Sequence, residues 1–189
     1  MKQQLKTALW FTLLTTVIFG LVYPLLVTAL AQVLFPKQAN GSMLEGAASG
    51  GSRLIGQPFS SDAYFHPRPS GAGNGYDPMS SGGSNLAPTN HQLADRVRAD
   101  VARLEAENPG VPVPVDLVTA SASGLDPDIS PAAAQFQIPR IAKNRRITTE
   151  ELRKLVDAHT TPRQFGILGE PRVNVVELNR ALDAAVPRH

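Results

Sequence analysis

The stretch ALWFTLLTTVIFGLVYPLLVTALAQVLF, from Ala8 to Phe35, decides the fold of this 189-residue chain. It is uncharged, and only four threonines and one glutamine interrupt its apolar side chains. As a helix it would be about 42 Å long at ~1.5 Å per residue, which exceeds the ~30 Å hydrocarbon core of a bilayer. The sequence therefore predicts one transmembrane helix over residues 8–35.

A cleaved signal peptide is the alternative interpretation of this stretch, because Ala29-Leu30-Ala31 resembles a small-residue cleavage site. The apolar region of a signal peptide is typically ~7–15 residues long, about half the length found here. The length therefore favours an uncleaved anchor.

The charges flanking the span predict its orientation. Lys2 and Lys6 precede it, and no acidic residue occurs before Glu45. Because basic residues are retained on the cytoplasmic side, we expect a cytoplasmic tail over residues 1–7 and an extracytoplasmic domain over residues 36–189. From Lys37 onward, 16 basic residues balance 16 acidic ones, so nucleic acid is not an expected partner.

The polar residues within the span indicate a protein partner in the membrane. Pro24 removes a backbone donor and should kink the helix, which is tolerated where a neighbouring helix supports the break. Polar groups inside a span pack better against protein than against lipid. The residues expected to pack against a partner are Thr12, Thr15, Thr16, Pro24 and Gln32.

The first part of the exterior region has a loop-like composition. Gly, Pro and Ser make up 25 of the 55 residues from Pro36 to Asn90. Apolar anchors such as Tyr64 and Phe65 distinguish it from a disordered linker. We expect ordered turns and short strands around residues 53–57 and 63–65, and a mobile linker over residues 36–51.

Helical signals dominate the remainder. Apolar spacing predicts a helix over residues 91–108, with Thr89 and Gln92 as its capping box. Ser130-Pro131 predicts a helix start, and the pairs Thr148/Glu151 and Asn174/Glu177 predict two more. A short strand is expected over residues 116–120. The fold class is therefore α+β, with about four exterior helices.

The motifs exclude most autonomous chemistry. The chain has no cysteine, no phosphate-binding loop and no H-E-x-x-H sequence, and its histidines are scattered. Asp116, Asp126 and Asp128 suggest a cation site, but an Asp-Pro turn before Ser130 explains them without one, so no metal is expected. The cluster Arg140, Lys143, Arg145 and Arg146 is a docking patch or, more simply, a solvated helix face.

The run from Ser80 to Leu86 is the most unusual local sequence. Its consecutive glycines between hydroxyl residues could expose backbone N–H groups to an anion. A tight turn, in which Ser and Asn side chains bond their own backbone, is the alternative, and the composition favours it.

Five longer stretches together resemble the KdpC family, a subunit of the bacterial high-affinity, ATP-driven potassium transporter. They are GSRLIGQPF from Gly51, YFHPRPS from Tyr64, SGGSNLAPTN from Ser81, PVDLVTASASGLDPDISPAAAQFQIPRIAK from Pro114 and GILGEPRVNVVELNRALD from Gly166. The resemblance implies a non-catalytic subunit of the bacterial inner membrane. Its implied partners are a channel-like potassium-translocating subunit, a P-type ATPase subunit and a small single-span subunit.

The resemblance also implies two alternative roles. One is to stabilise assembly of the complex for potassium transport, with membrane lipid around the helix and no cofactor bound by this chain alone. The other is that of a catalytic chaperone that raises the ATP affinity of the ATPase subunit. In that role the nucleotide contacts would be Ser81, Gly82, Gly83, Ser84 and Gln137.

Overall fold

The computed structural model describes residues 1–44 and 51–185. The chain forms two compact units, Met1–Ser52 and Arg53–His189. The linker expected over residues 36–51 includes residues 45–50, which lie outside the described residues. On either side of them, Met43 and Ser52 form an isolated antiparallel bridge.

The first unit is built on one long apolar helix. It runs through α1 (Lys2–Val17), a π-helical turn (Ile18–Val22) and α2 (Tyr23–Leu34), and the short α3 (Pro36–Ala39) follows it. The helix Lys2–Leu34 is 33 residues long, and its length and composition are sufficient to cross a membrane. No residue of α1, the π-helical turn or α2 is buried by the chain itself.

The π-helical turn lies immediately before Pro24. The N–H of Tyr23 donates to the carbonyl of Ile18, five residues earlier, instead of four as in an α-helix. Because proline has no N–H, the regular bonding pattern cannot continue through it. A wider, π-helical turn therefore lies directly before Pro24, the residue at which a kink is predicted.

The second unit has the predicted α+β composition. Its helices are α4 (His91–Glu107), α5 (Pro131–Arg145), α6 (Thr149–Ala158) and α7 (Val175–Ala185), with 3₁₀ turns at Pro78–Ser80 and Val115–Leu117. Its sheet contains β1 (Asp128–Ile129), β2 (Thr160–Thr161) and β3 (Arg172–Asn174), in the order β1-β3-β2. Both pairings are antiparallel, and Val173 of β3 lies opposite Ile129 and Thr160.

Most of the predicted helix starts are confirmed. Ser130 accepts a bond from the N–H of Ala133, Thr148 and Glu151 form a reciprocal capping box, and Asn174 accepts from the N–H of Glu177. The cap of α4 differs from the prediction, because Asn90 rather than Thr89 accepts the N–H of Gln92. Asparagine is the stronger cap of the two.

One hydrophobic core joins the helices and the sheet of the second unit. α5 lies at its centre, with Phe136, Ile138 and Ile141 buried, and it packs against α6 and β3. The other fully buried side chains of this core come from the loops, α6, β3 and α7: Phe65, Leu152, Val156, Val173, Val175, Leu178 and Leu182.

The strands predicted outside the observed sheet are wrong. Residues 116–120 include the end of a 3₁₀ turn, in which the Val115 carbonyl accepts from the N–H groups of Val118 and Thr119. Residues 53–57 and 63–65 form turns and irregular backbone. Their backbone groups form hydrogen bonds with a loop carbonyl and with side-chain amides. A β-strand would need a neighbouring strand as its hydrogen-bond partner.

The loop-rich segment, residues 53–90, is nevertheless well anchored. Phe65 is fully buried, Tyr64 is buried beside it, and the ring of Phe59 packs against that of Tyr64 at 5.3 Å between centroids. Tyr64 and Phe65, identified in the sequence as apolar anchors, therefore act as core residues.

Candidate functional site

The run Ser81–Ser84 lies against a second loop. The N–H of Gly82 and the hydroxyl of Ser81 both donate to the carbonyl of Ser123, at 2.8 and 3.0 Å. The run is irregular rather than a tight turn, and Asn85 beyond it has a φ of +52°. Two of the donors that an anion-binding loop would expose are therefore bonded within the chain.

Close backbone contacts explain the glycines around this run. A Cβ on Gly71 would lie 2.9 Å from the nitrogen of Ser84, and a Cβ on Gly83 would lie 3.1 Å from the carbonyl oxygen of Ala122. Gly124 is the most crowded, since a Cβ there would lie 2.6 Å from the Gly82 oxygen and φ is +67°. Because these glycines have no side chain, the backbone around residues 71–72, 82–84 and 122–124 can come into close contact.

Gln137 on α5 is a buried clamp. Its Oε1 accepts from the His66 N–H and from Nη2 of Arg140, both at 2.7 Å. Its Nε2 donates to the carbonyls of His66 (3.0 Å) and Ala133 (3.2 Å). The side chain is 2% exposed, and both amide donors and the acceptor are used.

The structure holds the run and Gln137 by different contacts. The run touches residues 71 and 121–124, whereas Gln137 bonds residues 66, 133 and 140. Among the residues that the structure describes, no hydrogen bond joins the run to Gln137. The geometry therefore presents them as two packing features.

Asn179 on α7 repeats the role of Gln137. Its Oδ1 accepts from the N–H of Phe65 and its Nδ2 donates to the carbonyl of Phe65, both at 2.9 Å. The two amides satisfy the backbone of consecutive residues that belong to no strand. Sequence reasoning missed Asn179, because an isolated asparagine in a helix has no distinguishing pattern.

Two of the four residues in the basic cluster, Arg140 and Arg145, have buried side chains, so the interpretation as a solvated helix face is wrong for them. Arg140 bonds Glu107 of α4 (2.8 Å), the carbonyls of Asp62 and Tyr64, and Gln137. Arg145 bonds Asp183 of α7 (2.6 Å) and the carbonyl of Ala63. Both guanidinium side chains are more than nine-tenths buried.

A small cavity of about 200 Å³ lies beside this cluster, between His66, Arg103, Glu107 and Arg140. Burial and, secondarily, the charge of Arg140 lower the pKa of His66 below 6.5. The Nε2 of the neutral ring donates to the Ser61 carbonyl at 3.0 Å. The charges lining the cavity are paired, and no nucleophile is activated by a neighbouring base.

The three aspartates considered for a cation have structural partners. Asp126 pairs with Arg68 at 3.0 Å, Asp128 pairs with Arg172 at 3.1 Å, and Asp116 accepts the N–H of Ser130 at 2.6 Å. Burial and the nearby Asp126 raise the pKa of the Asp128 carboxyl. Within residues 1–44 and 51–185, no group of three metal-binding side chains is present.

Two of the polar residues of the span, Thr15 and Gln32, form hydrogen bonds within the first unit. Thr15 donates to the carbonyls of Phe11 (2.8 Å) and Thr12 (3.0 Å). Gln32 exchanges hydrogen bonds with the Asn40 side chain, at 3.1 and 3.4 Å. The γ-methyl of Thr16 lies over Gly20, where a Cβ would be 3.8 Å away.

An exposed turn between β2 and β3 was not singled out in the sequence as a site. The apolar tip, residues 164–168, presents Phe165, Ile167 and Leu168, which are 90, 76 and 54% exposed. At its base Arg163 pairs with Glu170 at 2.5 Å. Only the exposure of these side chains identifies the tip, and exposure is not readable from the sequence.

The comparison with protein families agrees with the pattern of motifs. Residues 5–184 match the family model described as "KdpC: K+-transporting ATPase, c chain". The chain belongs to the KdpC family. This assignment confirms the resemblance drawn from the five sequence stretches.

Individual KdpC proteins are similar over almost the whole chain. The potassium-transporting ATPase KdpC subunit of Koribacter versatilis is 56% identical over 188 residues, covering 99% of this chain and 97% of the relative. The protein of the same name from Acidobacterium capsulatum is 59% identical over 181 residues, covering 95 and 97%. As a KdpC protein, the chain is a subunit of a potassium-transporting ATPase and not a stand-alone enzyme.

Proposed function

We propose that this chain is a non-catalytic accessory subunit that stabilises assembly of a potassium uptake complex. It would hold the channel-like and P-type ATPase subunits together, with the small single-span subunit as a further partner. Potassium is the transported ion in this proposal, and ATP belongs to the ATPase subunit. High-affinity transport then depends on the chain through the integrity of the complex.

The observation that carries this proposal is the uncovered helix Lys2–Leu34. Its apolar side chains are exposed along the entire length, and none of them is buried by the residues that the structure describes. In a membrane they would contact lipid and neighbouring helices, and its threonines and the Gly20–Thr16 contact suit close helix packing. The helix thus supplies an anchor and a surface for a membrane partner.

The proposed location is the bacterial inner membrane, with the N-terminus in the cytoplasm. Lys2 and Lys6 support this orientation, because basic residues flanking a span remain on the cytoplasmic side. The second unit, Arg53–His189, would then be extracytoplasmic.

Replacement of the span tests the proposal. Residues 8–34 are exchanged for an unrelated Leu/Ala span of equal length, with residues 1–7 and 35–189 kept. The chain should still insert, but it should no longer co-purify with the other subunits, and potassium uptake at limiting potassium should fall. A conservative Val33→Leu variant is the control. Unchanged co-purification and uptake after span replacement would overturn the proposal.

Direct modulation of ATP binding is the alternative function. It requires Ser81–Ser84 and Gln137 to meet a nucleotide, and their internal bonding gives this less support. The Ser84→Ala variant is the suitable probe, since this substitution leaves the Gln137 clamp intact. A weaker ATP affinity in a fully assembled complex would favour the alternative, and an unchanged affinity would remove its basis.

The side of the membrane gives an independent test. The chain has no cysteine, so Ser84→Cys introduces a single thiol into it. An impermeant thiol reagent should label this residue from outside intact cells. Labelling only after permeabilisation would contradict the proposed orientation.

A further inference from the structure

The apolar tip is built to be rigid. The N–H of Gln164 donates to the Leu168 carbonyl and the N–H of Leu168 donates to the Gln164 carbonyl, both at 2.9 Å. The N–H of Ile167 also donates to Gln164, at 3.2 Å. Pro162 and Pro171 flank the turn and restrict its backbone further. A backbone held this way loses little freedom on binding.

Phe165 occupies a backbone position that disfavours it. Its φ is +53°, and that of Gly166 is +77°. Positive φ at both central positions of a turn is usually supplied by Gly, Asn or Asp, because a Cβ crowds the backbone there. A phenylalanine at this position, with its ring 90% exposed, does not serve the stability of the isolated chain. Such a conflict between sequence and local geometry points to binding.

The charge around the tip distinguishes between two possible binding partners, an anionic lipid surface and a protein surface. Between Pro162 and Pro171 the only charged residues are Arg163 and Glu170, and they neutralise each other. Loops and helices that bind anionic lipid surfaces combine apolar residues with an excess of Lys or Arg. A neutral base beneath three apolar side chains fits a protein surface, where charged residues are depleted at the interface core.

The shape of the tip indicates the form of that surface. Phe165, Ile167 and Leu168 project from a narrow two-stranded turn, so the complementary surface is concave and apolar. Aromatic anchors seated in such pockets carry a large share of binding energy in protein complexes.

We propose that the apolar tip docks into an apolar pocket on another subunit of the same potassium-transporting ATPase. This inference rests on the proposed assembly function and names one surface that performs it. Phe165 is the central anchor, Ile167 and Leu168 flank it, and the Arg163–Glu170 pair lies at the rim.

Photo-crosslinking from the tip is the direct test. A benzophenone amino acid replaces Ile167 in the full complex in native membranes, and the matched control carries it at Val115, which is 65% exposed elsewhere in the second unit. Irradiation should join residue 167 to another subunit of the complex, with little adduct from residue 115. Adducts with lipid only, with a second copy of this chain only, or with nothing would each overturn the proposal.

A polar substitution measures how much the tip contributes. The double variant Phe165→Ser/Ile167→Ser removes two side chains that are already exposed, so the chain should fold normally. We expect this variant to dissociate from the purified complex about tenfold faster or more, as for the loss of interface anchors. Met79→Ser, at a 91% exposed site, is the control and should dissociate at the native rate. A native rate in the double variant would overturn the proposal.

The two proposals fail in distinguishable ways. If span replacement abolishes co-purification while the tip variant dissociates at the native rate, the assembly function stands and the docking surface is wrong. If neither change affects association, the assembly function itself is wrong.

Discussion

The loop-rich segment and the apolar tip are both irregular, yet they are stabilised in opposite ways. Around residues 64–66, buried side-chain amides from α5 and α7 satisfy the backbone, and the aromatic rings enter the core. In the tip, the backbone bonds to itself and the apolar side chains face outward. The apolar side chains of the loop-rich segment are buried by the chain itself, whereas those of the tip would be buried only by contact with another molecule. Irregular structure alone therefore does not indicate a binding loop.

The largest effect should follow substitution of Gly124, which packs tightly against Ala72 and Gly82 of the loop-rich segment. Gly124→Ala adds a Cβ 2.6 Å from the Gly82 oxygen and retains a positive φ. We expect a loss of about 2–4 kcal/mol in the free energy of unfolding, from overpacking plus the left-handed backbone. Denaturant unfolding of the full chain in detergent measures it.

Gly110→Ala is the matched control for the Gly124 experiment. Its φ is +81°, but nothing lies within 4 Å of the added Cβ. The cost should be about 1 kcal/mol, from the backbone alone. Equal losses at the two glycines would show that the loops are not tightly packed.

Removing one amide clamp should have the next largest effect. Gln137→Leu leaves the partly buried N–H and carbonyl of His66 without their partner and removes one hydrogen bond of Arg140. We expect a loss of about 2–3 kcal/mol in the free energy of unfolding. The control Asn144→Leu lies on the exposed face of the same helix and should change stability by no more than about 0.5 kcal/mol. Similar values for the two variants would contradict the contrast between the regions.

In the tip, by contrast, a substitution that relieves the backbone strain at Phe165 should raise the folding stability. Phe165→Asn places a residue that tolerates positive φ at this turn, so the isolated chain should gain about 0.5–1 kcal/mol of stability. The same variant should bind the complex more weakly, since it lacks the aromatic anchor. Thermal unfolding of the full chain and its retention on the complex, measured in parallel, check the two signs. If both the thermal stability and the retention on the complex increased, a binding role for Phe165 would be contradicted.

The smallest expected effect is a pH dependence at His66. Its pKa in the folded chain lies below its ordinary value of 6.5, so the unfolded chain takes up the proton first as the pH falls. The stability contribution is therefore complete above pH 6.5 and declines below it until the folded pKa is passed. His66→Gln should flatten the stability profile on the acid side, and the exposed His91→Gln should not. Unfolding titrations between pH 7.5 and about 5 compare the variants.

The sequence predicted those features whose causes are local. The span depends on an uncharged apolar run, and the starts of α5, α6 and α7 depend on caps within three residues. The short strands could not be placed, because a strand depends on its distant partner. Residues 116–120 have strand-like composition and no partner.

The contacts of the candidate site are long-range, and this explains why they were missed. Gln137 and Arg140 look like ordinary polar residues of a helix surface until the backbone of residues 62–66 is laid against them. Phe165 looks like any apolar residue next to a glycine. Its interpretation as a binding residue depends on its positive φ and on its exposure, and both are known only from the folded structure.

The clamp made by Asn179 has a consequence for the order of folding. Phe65 and Asn179 are 114 residues apart, and Gln137 lies 71 residues beyond His66. A chain synthesised from its N-terminus therefore produces the loop-rich segment well before either amide that fixes it. The backbone of residues 64–66 therefore lacks the hydrogen bonds of Asn179 until α7 has been synthesised. A truncation that removes only α7 should leave residues 64–66, which are distant from it in sequence, open to proteases.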